Sequence, residues 1–205
     1  MHVLFVCNGN VCRSAIAERL TRALAVDYEL PRLTAESAGT RALVGFPVEP
    51  LAAQAIAGLG GDPEGFKARK LTPEMVDRAD LILTMTDQIR DQAAAMGFGA
   101  PARTFTLLEA RRIAKLTGAR TIGELHAARN DLAYVHRENI ADPIGLSAQS
   151  YCEVGDRIAE AVVPLLLALA PYEQQRPVEE VQLGLVIRPQ PQAPLSAFLA
   201  ANRTR

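Results

Sequence analysis

Two residues near the start of the chain, Cys7 and Arg13, have the types and the spacing that phosphate chemistry requires. A cysteine thiolate is a strong nucleophile, and the planar guanidinium of arginine binds two oxygens of one phosphate group. Ser14 follows the arginine and can donate a further hydrogen bond to the thiolate, while Gly9 permits a backbone turn that a side chain would block. The pattern predicts phosphoryl transfer through a phosphocysteine. The alternative is that Cys7 is an inert buried residue at the end of a strand.

A strand and a helix must flank this loop if it is to bind an anion. Val3 to Val6 form a short apolar run that is typical of a buried first strand in a parallel sheet. From Ser14 onward apolar residues recur at helical spacing, and Ser14 itself is predicted to cap the helix. Backbone N–H groups and the helix dipole at such a junction attract anions and favour a thiolate. The predicted substrate-binding residues are Asn8, Gly9, Asn10, Val11, Cys12, Arg13 and Ser14.

Composition restricts the possible classes of protein. With 205 residues, of which 49% are hydrophobic, the chain is long enough for one α/β domain with a real core and a tail. The net charge of −1 argues against a nucleic-acid partner or an anionic membrane surface. Three cysteines and an expected free thiolate indicate a reducing compartment, so we predict a cytoplasmic protein. The longest apolar stretch, 159–170, contains Glu160 and Pro164 and favours a packed helix over a membrane span.

Strands and helices alternate along the rest of the chain, which predicts an α/β fold with right-handed crossovers. Further strands are expected at 33–38, 80–85 and 103–105. Between them, one helix is expected from Glu49-Pro50 to about residues 60–61, and another from Thr86-Asp87 to about residues 96–97. A short helix between these two is expected to begin at a cap on Thr72. The three histidines, His2, His126 and His136, are too scattered to form a metal-ligand cluster, and no cofactor is expected.

The second half of the chain carries two less regular regions. Residues 107–139 suggest two helices that are broken at Gly118, whose charged faces are either simply solvated or turned toward a substrate. A last helix is expected over 151–170, with Ser147 or Ser150 as its cap. We therefore divide the chain into a domain of residues 1–170 and a Pro/Gln-rich extension of residues 171–205. That extension contains a candidate strand, 181–187, and a candidate short helix, 195–201, and is expected to be dispensable for chemistry.

Four segments in order along the chain resemble the landmarks of one family, the low-molecular-weight protein tyrosine phosphatases, whose superfamily includes arsenate reductases of the same fold. They are Val6–Ser14, Ser37-Ala38-Gly39-Thr40, Ala68-Arg69 and Asp142-Pro143. The resemblance implies a single three-layer domain whose four parallel strands follow the order 2-1-3-4, with the first and third strands at the ligand-binding switch point.

The same resemblance assigns roles to residues. It implies that Cys7, Arg13 and Asp142 are catalytic, with Asp142 as the general acid and then the general base. It also implies that Cys12 is a redox partner, able to protect Cys7 by a reversible disulfide. The implied substrate is a phosphorylated protein or a small phosphomonoester, with no metal or other cofactor, and the implied state is a monomer or a weak homodimer.

The chain departs from the family pattern at four positions. Ile144 follows Asp142-Pro143 where an aromatic residue is common, and the loop Arg41 to Val44 lacks the usual tryptophan. Phe66 replaces a histidine that would support Asn10, and Ala15 replaces a proline. Two other functions therefore stay open: an arsenate reductase that uses a low-molecular-weight thiol, and a non-catalytic phosphate-sensing or interaction module.

Overall fold

Four parallel strands form one sheet in the computed structural model, which describes residues 1–129 and 138–170. The spatial order is β2-β1-β3-β4, so β1 and β3 lie at the centre, where the strand order reverses. This confirms the predicted fold class and strand order. The strand bounds are β1 His2–Cys7, β2 Thr34–Gly39, β3 Leu81–Thr84 and β4 Thr104–Thr106, each within about one residue of the predicted strand.

Helices cover both faces of the sheet, because alternate residues of the central strand are buried on opposite sides. Val3 and Phe5 belong to the larger apolar cluster, whereas Leu4 and Val6 belong to the smaller one. Helices α1, α2, α6 and α8 contribute to the larger cluster, and α3 and α4 to the smaller. The helix bounds are α1 Arg13–Asp27, α2 Pro50–Gly58, α3 Pro73–Arg78, α4 Asp87–Ala94, α5 Ala100–Arg103, α6 Leu107–Thr117, α7 Ile122–Ala128 and α8 Ala148–Leu169.

The predicted helix starts are correct except for two: the first helix, and the last, which begins at Ala148 rather than at Tyr151. The side chains of Glu49, Thr72, Thr86 and Ser147 accept hydrogen bonds from the first-turn amides of their helices, as caps do. Ser14 is not a cap. Helix α1 begins one residue earlier, behind Cys12, which makes no side-chain cap bond. The hydroxyl of Ser14 is instead used inside the loop. The four-residue helix α5 was not predicted.

The two helices predicted after residue 107 are present. Helix α6 begins with a capping box between Thr106 and Glu109 and ends at Gly118, whose φ of 73° is the left-handed conformation expected of a C-cap glycine. Arg129, just after α7, donates to the carbonyl of Pro101 at 2.9 Å and stacks 3.9 Å from the ring of Phe105. The rest of this insertion, residues 130–137, lies outside the described residues, as does the extension 171–205 with its candidate strand and helix.

No helix in the described ranges, 1–129 and 138–170, combines the length and the apolar character needed to span a membrane.

Candidate active site

Cys7 is the last residue of β1, and its thiol faces the loop that leads into α1. The residue is 2% exposed. Its Sγ accepts a hydrogen bond from the backbone N–H of Asn10 at 3.2 Å and lies 2.9 Å from Oγ of Ser14. Because the Ser14 oxygen already accepts from Asn10 Nδ2 at 2.9 Å, its hydrogen is free to be donated to the sulfur. Two donors therefore converge on one buried sulfur, which stabilises negative charge there.

Asn10 determines the shape of the loop. Its φ of 57° is left-handed, a conformation that asparagine tolerates better than most residues. It is fully buried, and its side-chain amide also donates to Ser37 Oγ at 2.8 Å and accepts from the backbone N–H of Arg69 at 2.7 Å. Asn10 is therefore supported although Phe66 replaces the family's histidine, because three other residues hold its amide.

The support for Asn10 continues to a buried acid. Ser37 donates to Glu18 Oε2 at 2.5 Å, and Glu18 is only 1% exposed. The other carboxylate oxygen of Glu18 pairs with Arg22 at 2.7 Å, one helical turn later. The sequence offered one signal for this chain of contacts, because Glu18 lies among the apolar residues at the start of α1, but nothing in its local pattern indicates a role in the loop.

The segment after β2 is bonded along the loop like an additional strand. The backbone N–H groups of Thr40, Arg41 and Leu43 donate to the carbonyls of Cys7, Asn8 and Gly9 at 2.9 to 3.1 Å. The three bonds pair these residues in that order, and the two segments approach so closely at Gly39 that no side chain fits there. A Cβ there would lie 2.3 Å from the carbonyl oxygen of Asn8 and 3.0 Å from the backbone nitrogen of Asn10.

Arg13 brings Asp142 to the loop from a distant part of the chain. The guanidinium is 4% exposed, donates to the carbonyl of Ile140 at 2.9 Å and forms an ion pair with the Asp142 carboxylate. Among the described residues, no acceptor lies within hydrogen-bond distance of Arg13 Nε. A buried N–H group without a partner is costly, and an oxygen of a bound oxyanion would satisfy it.

These groups open onto a cavity of about 220 Å³. Its lining combines polar groups, namely the loop, Arg13 and Asp142, with the aliphatic residues Val11, Leu43 and Ile144. The cavity is lined by Cys7, Asn8, Gly9, Asn10, Val11, Cys12, Arg13, Arg41, Leu43, Asp142 and Ile144. The sequence-predicted residues therefore converge, except that Ser14 lies beneath the loop and does not line the cavity. No described residue of 107–139 lines it.

Cys12 in the loop and Tyr151 in α8 are both buried, at 3% and 2% exposed. Burial, reinforced by the negative charge of Cys7, raises the pKa of the Cys12 thiol well above its usual value. Cys12 is therefore a neutral thiol while Cys7 is the candidate nucleophile. Both cysteines are free, and the role of Cys12 as a redox partner stays a prediction. Burial, together with the charge of Glu49, raises the pKa of Tyr151 to about 12.

Across residues 1–129 and 138–170, no group of three or more His, Cys, Asp or Glu side chains is arranged to hold a metal ion.

Comparison with known proteins agrees with this geometry. The family model described as low molecular weight phosphotyrosine protein phosphatase matches residues 2–176. The chain belongs to this family. It is 43% identical over 94 residues to the low molecular weight protein-tyrosine-phosphatase Etp of Escherichia coli K12, a match that covers 46% of the chain and 60% of Etp. The chain thus spans about three fifths of the length of that curated relative.

Two solved structures are similar over most of the chain. A low molecular weight protein tyrosine phosphatase from Bacillus subtilis has a TM-score of 0.64 and 28% identity, covering 86% of this chain and all of the other. The YwlE arginine phosphatase from Geobacillus stearothermophilus has a TM-score of 0.61 and 26% identity, covering 85% of this chain and 93% of the other. The family expected from the sequence is therefore confirmed, and an arsenate reductase is not favoured.

Proposed function

We propose that the protein is a cysteine-dependent phosphatase that removes phosphate from phosphotyrosine in protein substrates. The observation that carries the proposal is that Cys7, Arg13 and Asp142 meet around one open cavity, although the arginine and the aspartate are 129 positions apart in the sequence. A non-catalytic phosphate sensor would need Arg13 and the loop amides, but it would need neither a nucleophile nor an acid.

In the first step, a phosphomonoester dianion binds in the loop and takes the place of Asp142 on the Arg13 guanidinium. The Cys7 thiolate attacks phosphorus, an S–P bond forms and the P–O bond to the leaving group breaks. The proton carried by Asp142 goes to the departing oxygen. General acid catalysis of this kind contributes roughly 10²- to 10⁴-fold.

In the second step, a water molecule attacks the phosphocysteine and Asp142, now a carboxylate, accepts its proton. The S–P bond breaks, which regenerates the Cys7 thiolate and releases inorganic phosphate. In both steps Arg13 and the loop N–H groups stabilise the equatorial oxygens. This positioning and electrostatic stabilisation is the main contribution a protein makes to phosphoryl transfer.

The walls of the cavity favour an aryl phosphate. Leu43 and Ile144 are each about half exposed, so they present apolar surface at the rim where the group attached to the phosphate must lie. They are aliphatic where family members commonly have aromatic residues, and they contact a phenyl ring through dispersion alone. We therefore expect phosphotyrosine to be accepted with less selectivity than an aromatic wall would give.

A reduced Cys7 is required for this chemistry, so the proposal includes a reducing compartment, the cytoplasm. It also includes a chain that acts without nucleic acid or membrane, as a monomer or a weak homodimer. The domain of residues 1–170 contains all the proposed catalytic groups.

The test is metal-free hydrolysis of p-nitrophenyl phosphate, phenyl phosphate, a phosphotyrosine peptide and a phosphoarginine peptide. Cys7→Ser is expected to abolish turnover, whereas the matched control Cys152→Ser, at an exposed free cysteine, is expected to leave it unchanged. Asp142→Ala should reduce turnover of phenyl phosphate by roughly 10²- to 10⁴-fold. The loss should be smaller for p-nitrophenyl phosphate, whose leaving group needs little protonation.

A Cys7→Ser variant that hydrolyses these substrates like the wild type would contradict the phosphocysteine mechanism. Equal losses on the two aryl phosphates would overturn Asp142 as the acid. Turnover of phosphoarginine with none of phosphotyrosine would replace the proposed substrate with the one named for YwlE.

A further inference from the structure

A second cavity of about 210 Å³ adjoins the first and has no role in the mechanism above. The two cavities share four lining residues, Asn8, Arg13, Arg41 and Asp142, which form the wall between them. They therefore form one two-part groove, with the phosphate loop in its first part. The remaining lining residues of the second part are Thr40, Thr86, Gln88, Ile89 and Gln92.

The two parts of the groove differ in chemistry. The first part has the aliphatic wall, whereas hydroxyl and carboxamide side chains dominate the second. Gln88 and Gln92 are four residues apart on α4 and so lie on one face of that helix. Carboxamide N–H and hydroxyl groups are neutral donors that suit the oxygens of a polar or anionic side chain.

Arg41 is the charged group of the shared wall that no described residue neutralises. It is exposed, and no carboxylate of the described residues lies within 4 Å of its guanidinium, as the ion pairs found in 1–129 and 138–170 show. The position of Arg41 is fixed at its base, since its backbone N–H donates to the carbonyl of Asn8 at 2.9 Å. The Arg41 guanidinium therefore lies beside the phosphate loop and is available to pair with an anion of a substrate.

The acids around the groove do not cancel this charge. Asp87 and Asp91, on the first turns of α4, pair with Arg90 at 3.3 and 2.8 Å. Asp142 pairs with Arg13. Arg41 therefore remains the cation of the shared wall with which an incoming carboxylate can pair.

We propose that the second part of the groove binds an aspartate or glutamate side chain within two residues of the phosphorylated residue, with Arg41 as the selecting cation. This inference rests on the proposed function, because it needs a peptide substrate. In an extended peptide, a residue two positions away points to the same side, about 7 Å along the chain. A peptide that places its phosphate in the loop therefore presents its second neighbour to the adjoining cavity.

The experiment uses phosphotyrosine peptides that carry aspartate, alanine or lysine at each of the two positions before and after the tyrosine. The measured quantity is the ratio of kcat/KM for the aspartate peptide to that for the alanine peptide. For the wild type, we expect a ratio of roughly two to five at whichever peptide position shows the strongest preference, because a part-exposed ion pair contributes an effect of that size. The preference should appear as a lower KM for the aspartate peptide. The ratio should fall toward one as salt is added.

Variants identify the cation responsible. Arg41→Ala should bring the ratio to one, and Arg41→Glu should invert it in favour of lysine. The matched control is Arg32→Ala, which removes an exposed arginine just before β2, at the opposite end of the sheet from the loop, and should leave the ratio unchanged. A wild type with no preference for aspartate, or a preference that survives Arg41→Ala, would overturn the inference.

A binding measurement separates this inference from the proposed function. Cys7→Ala has no nucleophile at this position, so the affinities of the same peptides for Cys7→Ala, with and without Arg41→Ala, report the preference without turnover. If the wild type hydrolyses no aryl phosphate, the proposed function fails, and the affinity ratio still decides whether Arg41 selects acidic peptides.

Discussion

Replacing Asn10 should destabilise the whole domain as well as the loop. The side chain makes hydrogen bonds to Ser14, Ser37 and the backbone of Arg69, and all three lie in buried or part-buried surroundings. At about 1 kcal/mol for each net bond, Asn10→Gly is expected to lower the free energy of unfolding by about 3 kcal/mol. The greater flexibility of glycine in the unfolded chain adds a loss of roughly 0.5 to 1 kcal/mol.

Alanine separates the hydrogen bonds from the backbone conformation. Asn10→Ala loses the same three bonds and must also hold an L side chain at the φ of 57°, at a cost of roughly 1 to 2 kcal/mol. It avoids the penalty of glycine in the unfolded state. We therefore expect the alanine variant to be less stable than the glycine variant by roughly 0.5 to 1 kcal/mol.

Urea denaturation followed by circular dichroism gives these free energies. The matched control is Glu29→Gly, at an exposed non-glycine residue whose φ of 51° is also positive. Since no side-chain hydrogen bond is lost there, this variant should be no less stable than the wild type. Turnover of p-nitrophenyl phosphate by Asn10→Gly should fall roughly 100-fold, because the loop N–H groups lose their positions. A loss of under 1 kcal/mol for Asn10→Gly would refute the assignment of Asn10 as the residue that holds the loop.

Three further predictions concern residues around the loop and the sheet. Gly39→Ala should cost roughly 3 kcal/mol of stability and most of the turnover, because the new methyl group meets the carbonyl oxygen of Asn8. Burial alone would raise the pKa of Glu36, but hydrogen bonds led by those from Arg78 outweigh it and lower the pKa, so Glu36→Gln should cost roughly 2 kcal/mol at pH 7. Because this stabilisation is lost as pH falls through the lowered pKa of Glu36, the free energies of unfolding of the wild type and of Glu36→Gln should become equal in acid. One tyrosine should titrate near pH 12 in ultraviolet absorbance, and Tyr151→Phe should remove that component.

Each of these predictions has an outcome that contradicts it. For Gly39→Ala the control is Gly123→Ala in α7, where no heavy atom lies within 4 Å of the added Cβ and helix propensity favours alanine. Equal changes in stability for the two variants would contradict the close approach at Gly39. For Glu36→Gln, a stability difference that stays constant from pH 7 to pH 3 would rule out the charged contacts. For Tyr151, the raised pKa adds stability below pH 10 that is lost toward pH 12, so a wild type no more alkali-sensitive than Tyr151→Phe would contradict it.

The parts of the site that are local in the chain could be predicted from the sequence. Cys7, Arg13 and the loop between them follow from a strand, a turn and a helix within a dozen residues, where periodicity is informative. The same local reasoning failed for Ser14, because a serine before a helix is usually a cap. Its hydroxyl instead completes a network that only the folded loop creates.

The contributions of distant residues could not be found by pattern alone. Asp142 was identified through the family resemblance, since nothing near it in sequence indicates that it meets Arg13. The support of Asn10 by Ser37 and Arg69 depends on how β2 and the segment before α3 pack against the loop. Hydrophobic periodicity along the chain does not report such packing. In the sequence, Arg41 is indistinguishable from any charged loop residue. Only the folded structure shows that it lines both cavities.

The long reach of the hydrogen bonds around the loop has a consequence for folding kinetics. The side-chain bonds of Asn10 and Arg13 close loops of 27, 59 and 127 residues, to Ser37, Arg69 and Ile140. Contacts of this kind form only after the chain entropy of each closure has been overcome. The site is therefore assembled with the domain as a whole, and a nascent chain has no acid beside Arg13 until residues 140–142 have been synthesised and have folded against it.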